Sequence, residues 1–248
     1  MTIQAKSAKI YTKMKLIKIT FKLPLQPWQI SQFRGAMSDW VTTHKKTILS
    51  EEEMALFHNH NNSQNSVKNF HYRYPLIQYR SIKEQAAMFV LQEAIPVVQK
   101  VLMDTSPPFV MQKEVHSLQW TDMPQYEHAL RMANEPQTYR LRNWIALNKE
   151  RFEEWSEIRG LTRKVVMLQK AAVGHILSFA IGMDWQVPEH FEVELLELRA
   201  WKQVRYHKVH LNAFDVVFQV SILLPEGIGL GKATSHGFGV LQKWKYKE

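Results

Sequence analysis

Residues 13–23 alternate between polar and apolar. Leu16, Ile17, Ile19, Phe21 and Leu23 mark a strand whose period of two is broken only by the Leu16-Ile17 doublet. Pro24 and Pro27 end it. The period then changes: Ile30, Phe33, Met37, Trp40, Val41 and His44 recur at spacings of three and four, the stripe of a helix over 29–44. Glu51, Glu52 and Glu53 read as a solvated helix start. Residues 58–69 are rich in Asn and Ser, which compete with backbone pairing, and predict a long loop. Loops of that length inside compact domains often carry function. Strands over 71–81 and 86–91, a helix over 93–103 with Pro96 in its first turn, and a strand-like stretch over 109–121 complete the order β-α-β-β-α-β.

A second unit follows. Tyr139, Leu141, Ile145 and Leu147 alternate with Arg140 and Arg142 in a strand over 138–147. Helices over 149–159 and 161–183 are separated near Gly160, and strands are predicted over 191–199, 204–224 and 238–246. The element order repeats the first unit with its last helix shortened or replaced. Met123-Pro124 and Asn134-Glu135-Pro136 supply breakers between the two. The predicted fold class is therefore α+β: tandem ferredoxin-like (RRM-like) units over 1–122 and 137–248, with a glycine-rich loop near the C-terminus.

Composition narrows the partners. The 248 residues are 45% hydrophobic, ample for a packed core, and contain no cysteine, so disulfides, thiolate metal sites and cysteine nucleophiles are excluded. No continuous apolar run approaches the roughly 18 residues that span a bilayer, and residues 1–15 lack the apolar core of a secretory signal. A cytoplasmic protein with no membrane partner is expected. The formal charge of +9, with basic residues interleaved among apolar ones, favours a folded surface that meets nucleic acid.

The chemistry concentrates near the C-terminus. Gly229-Leu230-Gly231 and Gly237-Phe238-Gly239 are two glycine-hydrophobic-glycine triplets five residues apart, just before the last predicted strand. Glycine permits positive φ and close approach of a ligand, and successive N–H groups can hold phosphate oxygens. Lys232, Thr234, Ser235 and His236 add donors between the triplets, and Lys243, Lys245 and Lys247 extend the basic track. A dinucleotide fingerprint or a P-loop would open a helix, which this segment does not precede. The spacing resembles the signature of the repeat-associated RNA-binding superfamily of CRISPR systems, and within it the CRISPR repeat-cleaving endoribonucleases, the sixth Cas family. Asn148 with Trp144-Ile145-Ala146-Leu147, the run Ile176-Leu177-Ser178-Phe179-Ala180, and Ala213-Phe214-Asp215-Val216-Val217-Phe218 resemble a compact subgroup of that family. Phe33-Arg34-Gly35-Ala36 and Tyr74-Pro75-Leu76-Ile77-Gln78-Tyr79 extend the likeness into the first half.

That resemblance implies two ferredoxin-like units and a metal-independent endoribonuclease without a cofactor. A ribose 2′-hydroxyl attacks the adjacent phosphorus of CRISPR repeat RNA, leaving a 2′,3′-cyclic phosphate and a 5′-hydroxyl. The alternative within the superfamily is a non-catalytic crRNA-binding subunit, with CRISPR effector subunits as further partners. The reaction needs a base, an acid and a cation at the phosphate, and the resemblance places a histidine in or after the first helix. His44 continues an apolar stripe and reads as a helix-end residue, and His71 opens a strand. His58 and His60 lie in the polar loop and are the expected catalytic pair, with Lys68, Tyr72 and Tyr74 as possible helpers and His236 as a further candidate. A His-x-His pair needs further ligands to hold a metal, and none is assigned. The RNA contacts expected are Gly229, Gly231, Lys232, Thr234, Ser235, His236, Gly237 and Gly239, with Arg163 and Lys164 on the long helix; Arg34, Arg140, Arg142 and Lys170 are further basic candidates, and Trp201 and Tyr206 could stack bases.

Overall fold

The computed structural model describes residues 11–58, 74–206 and 209–245. Strand β1 (Thr12–Pro24) leads to helices α1 (Ile30–His44) and α2 (Glu51–His58). Strands β2 (Ile77–Ile82) and β3 (Gln85–Leu91) and helix α3 (Ala94–Leu102) follow. A short hairpin of β4 (Phe109–Met111) and β5 (Glu114–His116), then β6 (Trp120–Asp122), lead into the 20-residue β7 (Gln125–Trp144). The first sheet has the order β2-β3-β1-β7, antiparallel throughout, which is the ferredoxin-like arrangement. The glutamate run does start a helix: Ser50 and Glu53 cap it reciprocally, each backbone N–H donating to the other's side chain at 2.8 and 3.1 Å.

The second unit uses β7 again. Helices α4 (Lys149–Glu157) and α5 (Leu161–Gly182) precede β8 (Val193–Tyr206), β9 (Val209–Leu223) and β10 (Val240–Lys243). Its sheet order is β8-β9-β7-β10. Residues 125–130 of β7 pair with β1, while its later residues pair with β9 on one side and β10 on the other. One strand is thus the last of the first unit and the first of the second. Within 122–137 the breakers after Pro124 do not interrupt the chain's regular structure, since β7 runs through them. Asn134-Glu135-Pro136 sits at a register shift between Met132 and Gln137, where a residue without an N–H is tolerated because pairing is already interrupted.

The doublet in β1 has a simple cause. Ile17, Ile19, Phe21 and Leu23 pack into one core with Phe33, Met37 and Trp40 of α1, while Met14 and Leu16 point to the other face and join a second core with Trp144, Ile176 and Phe179. Both faces of the strand are buried, so adjacent positions read as apolar. The stretch 109–121 does not form one strand, because Gln112 and Lys113 take positive φ at a hairpin turn. Helix α5 is long and apolar enough, by length and composition, to cross a membrane, although its cations interrupt any continuous apolar run. Here Leu168, Ala172, Ile176, Phe179 and Ala180 bury one side of it in the second core.

Where a second helix would lie in the second unit, residues 224–239 run as an irregular loop with one 3-10 turn, Thr234–His236. Gly239 has φ +63°, and a Cβ there would sit 1.9 Å from the Leu230 carbonyl oxygen; Gly231 has φ +99° and lies against the Trp144 indole and the Ile145 carbonyl. In α1, by contrast, a Cβ on Gly35 would meet open space. Gly239→Ala should therefore lower unfolding stability by about 2–3 kcal/mol, while Gly35→Ala should raise it by about 0.5–1 kcal/mol. Denaturant titrations of the two variants check both signs.

Candidate functional site

The glycine-rich loop folds back onto the first unit, and one buried arginine organises the contact. Arg80 in β2 is 4% exposed. One terminal nitrogen of its guanidinium donates to the carbonyls of Tyr79 and Thr234, both at 2.8 Å. The other donates to Gln78 Oε1 at 2.6 Å and the Gly227 carbonyl at 3.2 Å. Burial pulls its pKa down to about 10, yet it stays charged at neutral pH. Beside it the Gly229 N–H donates to Gln78 Oε1 at 2.8 Å, and the Tyr74 hydroxyl donates to the Gly229 carbonyl at 2.7 Å. Burial pushes the Tyr74 phenol up, so it remains a neutral donor.

The loop is therefore anchored rather than open. Backbone N–H groups of Lys232, His236, Gly237 and Gly239 donate to carbonyls of Ile145, Ala233, Thr234 and Asn143. Thr234, Ser235 and His236 are buried. The phosphate nest expected along these glycines is taken up by the protein's own carbonyls at those positions; of the polar side chains between the two triplets, Lys232 is half-buried while Thr234, Ser235 and His236 are buried.

This anchoring carries His236 to the first turn of α1, where its Nδ1 lies 3.0 Å from Ser31 Oγ. Ser31, Arg34, Ser38 and Thr42 follow at spacings of three and four, so they share one polar face of the helix. His58, the last residue of α2, sits at the other end of that face. Its Nδ1 lies 2.6 Å from Ser38 Oγ and its Nε2 2.8 Å from Thr42 Oγ1, and its carbonyl accepts from Arg34 at 2.5 Å. Ser31 and Ser38 are seven residues apart, about 10 Å along the axis. A histidine from each unit thus flanks the α1 face with Arg34 between them. Among the described residues, Arg34 Nε and the Tyr79 hydroxyl below it are buried without a hydrogen-bond partner. Burial pushes the Tyr79 phenol up, against the opposing charge of Arg34.

Other expected residues fall elsewhere. His60, Lys68, His71 and Tyr72 lie outside the described residues, as do Lys247 and the Tyr206 side chain. His44 is exposed at the end of α1, beside the Trp40 ring. Arg163 is exposed near the start of α5. Lys164 is folded over the Trp155 ring at 4.5 Å and donates to the Ser156 carbonyl at 3.2 Å, a local role in joining α4 to α5. Arg140 is held by Asp215 through two bonds of 2.8 and 2.6 Å. Among the described residues, no group of three or more His, Asp or Glu side chains converges as metal ligands would. The residue that sequence reading passed over is His175 on α5, whose only sequence signal is a polar residue inside an otherwise apolar run.

Family models for the Cas6b N-terminal and C-terminal domains match residues 12–129 and 131–244. The chain belongs to the Cas6b family. The boundary between the two domain models falls inside β7, the strand that both units share. The uncharacterized protein MJ0978 of Methanocaldococcus jannaschii is 34% identical to this Cas6b-family chain over 96 residues, 39% of the chain and 64% of the relative, so less than two thirds of that relative is matched. A solved Cas6b structure covers 94% of this chain and all of its own, with a TM-score of 0.76 and 19% identity. A second, described as a CRISPR RNA processing endoribonuclease Cas6b, reaches 0.67 at 16% identity with the same coverage. A type IV Cas6 crRNA endonuclease reaches 0.53 at 12% identity, again over 94% of this chain and all of its own. At these identities the likeness is one of fold, and it establishes the tandem ferredoxin-like architecture for the family member described here.

His175 gives the Cas6b-family fold a measurable pH signature. Its Nδ1 accepts from the Trp144 indole N–H at 3.2 Å. Burial first, and the charge of Lys232 second, pull its pKa down to about 4. The unfolded chain therefore takes up a proton near pH 6.5 that the folded one refuses until about pH 4. This contribution is fully present above pH 6.5 and is lost as the pH falls towards 4, on the order of 3 kcal/mol in all. Denaturant midpoints measured between pH 7.5 and 4.5 should fall for the wild type, and the slope should be shallower in His175→Gln.

Proposed function

We propose that this Cas6b-family chain is a metal-independent endoribonuclease that cuts CRISPR repeat RNA by 2′-hydroxyl attack. The observation that carries the reading is the polar face of α1, where Arg34 lies between His58 of the first unit and His236 of the second. The reaction needs two proton transfers and a cation. A base takes the proton from O2′, the O2′–P bond forms as the P–O5′ bond breaks, and an acid returns a proton to O5′. The products are a 2′,3′-cyclic phosphate and a 5′-hydroxyl. Arg34 supplies a positive charge beside this face, suited to the charge that develops on the phosphoryl oxygens. His58 and His60 are the proposed proton carriers. The separation of about two helical turns between Ser31 and Ser38 puts the His236 and His58 contacts too far apart to serve one phosphate together, so His236 is assigned to RNA placement. Lys232 and Arg163 are the proposed backbone contacts; the glycines, whose N–H groups at Gly229, Gly237 and Gly239 already donate within the protein, shape that surface with the buried Thr234 and Ser235, and Lys164.

One observation favours a second reading. Both ring nitrogens of His58 are engaged by Ser38 and Thr42, as expected of a structural histidine in a non-catalytic crRNA-binding subunit. For His58 to reach RNA it must exchange those bonds.

The two readings separate in one experiment: the protein is incubated in EDTA with the repeat RNA of its own array. Cleavage is expected, and a 2′-deoxy nucleotide at the cut should abolish it with little loss of affinity, because the nucleophile is removed but the backbone contacts remain. Alanine at His44, His58, His60, His71 and His236 in turn should identify the proton carrier by a loss of about 10²–10⁴ in rate with binding retained. Tight binding of an intact repeat by the unmodified protein would support the binding subunit instead. Equal cutting of the 2′-deoxy RNA would rule out the mechanism.

A further inference from the structure

Two hollows meet on the surface of the second unit, on either side of His175 and Lys232. One, of about 220 Å³, is walled by Tyr74, Pro75, Ser178 and Gly231 together with that pair. The other, of about 320 Å³, runs from them along α5 past Lys170 and Gly174 to Arg151 and Asn148 at the start of α4. The groove therefore crosses from the first unit, through the anchored loop, onto the helices of the second. Its charged side chains are Lys232, Lys170 and Arg151, all positive.

Two features of this groove point to a ligand. Gly174 is exposed in the interior of α5, and a Cβ added there meets nothing within 4 Å. A mid-helix glycine costs about 0.5–1 kcal/mol relative to alanine, and no neighbour in the protein calls for one. The second feature is His175 itself. Trp144 donates to its Nδ1, which fixes the neutral ring with its proton on Nε2. Among the described residues nothing accepts from that Nε2–H. Protonation would set two N–H groups against each other at Nδ1, beside the Lys232 ammonium. Besides Lys232, the titratable groups that surround the ring are the neutral Tyr74 hydroxyl, Lys170 and Arg151, none of which is an anion that would restore its charge.

We propose that Gly174, His175 and Lys232 form a nucleotide subsite for single-stranded RNA, in which Lys232 holds a phosphate and the neutral His175 donates its Nε2–H to an oxygen of the adjoining base or ribose, with the backbone at Gly174 in contact. The inference rests on the repeat-RNA reading and deepens it. A lysine attracts any phosphate and carries no sequence information, whereas an uncharged donor in a walled hollow reads a particular acceptor. His175 is therefore a specificity-determining residue, separate from the proton carriers of the first unit.

The test measures dissociation constants for repeat RNA and for a shuffled RNA of equal length, over a range of salt. Gly174→Ala should raise the melting temperature by filling open space in a helix, yet weaken repeat binding several-fold. His175→Phe, which keeps a ring against Trp144, should weaken repeat binding about ten-fold and leave shuffled RNA and the salt slope unchanged. His175→Gln, whose amide can both accept from Trp144 and donate outward, should restore most of the loss. Lys232→Ala should weaken both RNAs and lower the salt slope by about one. In the wild type, imidazole NMR signals of His175 should shift on adding repeat RNA but not shuffled RNA, a readout that needs no variant. The inference is overturned if Gly174→Ala binds repeat RNA as the wild type does, if His175→Phe weakens both RNAs equally, or if the imidazole signals stay in place. If the wild type itself fails to prefer repeat over shuffled RNA, the proposed function falls, and this subsite falls with it.

Discussion

Arg80 brings a positive charge out of water into the seam between the two units, where no carboxylate among the described residues meets it. A charge so placed needs well-placed acceptors, and here both terminal nitrogens have them, while Nε is buried without a partner among the described residues. The carbonyls of Thr234 and Gly227 supply two of these from the second unit, and those of Tyr79 and Gln78 supply two from the first. The arrangement fixes the glycine-rich loop against β2, and the loop's conformation in turn needs glycine where its backbone crosses itself at Gly239 and passes the Trp144 ring at Gly231. Phe89 closes the guanidinium from the side, its ring centre 5.9 Å away. A lysine in the same place could not span carbonyls this far apart, since it lacks the planar fork.

The consequence is reach. With the loop fixed on β2, His236 of the second unit meets Ser31 at the start of α1, and Lys232 stands on the rim of the groove that leads along α5. Sharing β7 joins the two sheets through one strand, and the anchored loop adds a second connection between the units. The proposed chemistry lies on the first unit and the proposed reading of RNA sequence on the second. Neither surface is complete without the contact at Arg80, which makes the loop a device for positioning as much as a surface for phosphate.

Much of this was legible in the sequence. The first five elements, β-α-β-β-α, followed from periodicity, because α1 and α3 each bury one stripe, whereas the closing strand read over 109–121 is a hairpin and β6, and β7 closes the sheet. The glycine spacing led to the family. What periodicity could not show was continuity: Pro136 reads as a breaker in isolation, and only the partner strands reveal that it occupies a bulge in a strand shared by both units. The inward side of the glycine loop was hidden for a related reason. Thr234, Ser235 and His236 are polar, and a polar loop reads as exposed, but β2 and α1, about 150–200 positions away in sequence, bury them. His175 was missed because a single histidine within an apolar helix resembles a core residue until Trp144 and Lys232 are placed beside it.

The central claim is that the loop is clamped to the first unit as part of the folded core. Native-state hydrogen exchange of the Gly229 and Gly239 amides tests it most directly, since their acceptors are Gln78 Oε1 in the first unit and the Asn143 carbonyl in β7. Clamping predicts that both exchange only through global opening, with protection close to that of β1 and β9, and that both lose protection together when Arg80 is replaced by methionine. Exchange of these two amides within seconds, while the strands stay protected, would show the loop to be free of the first unit and would contradict the account.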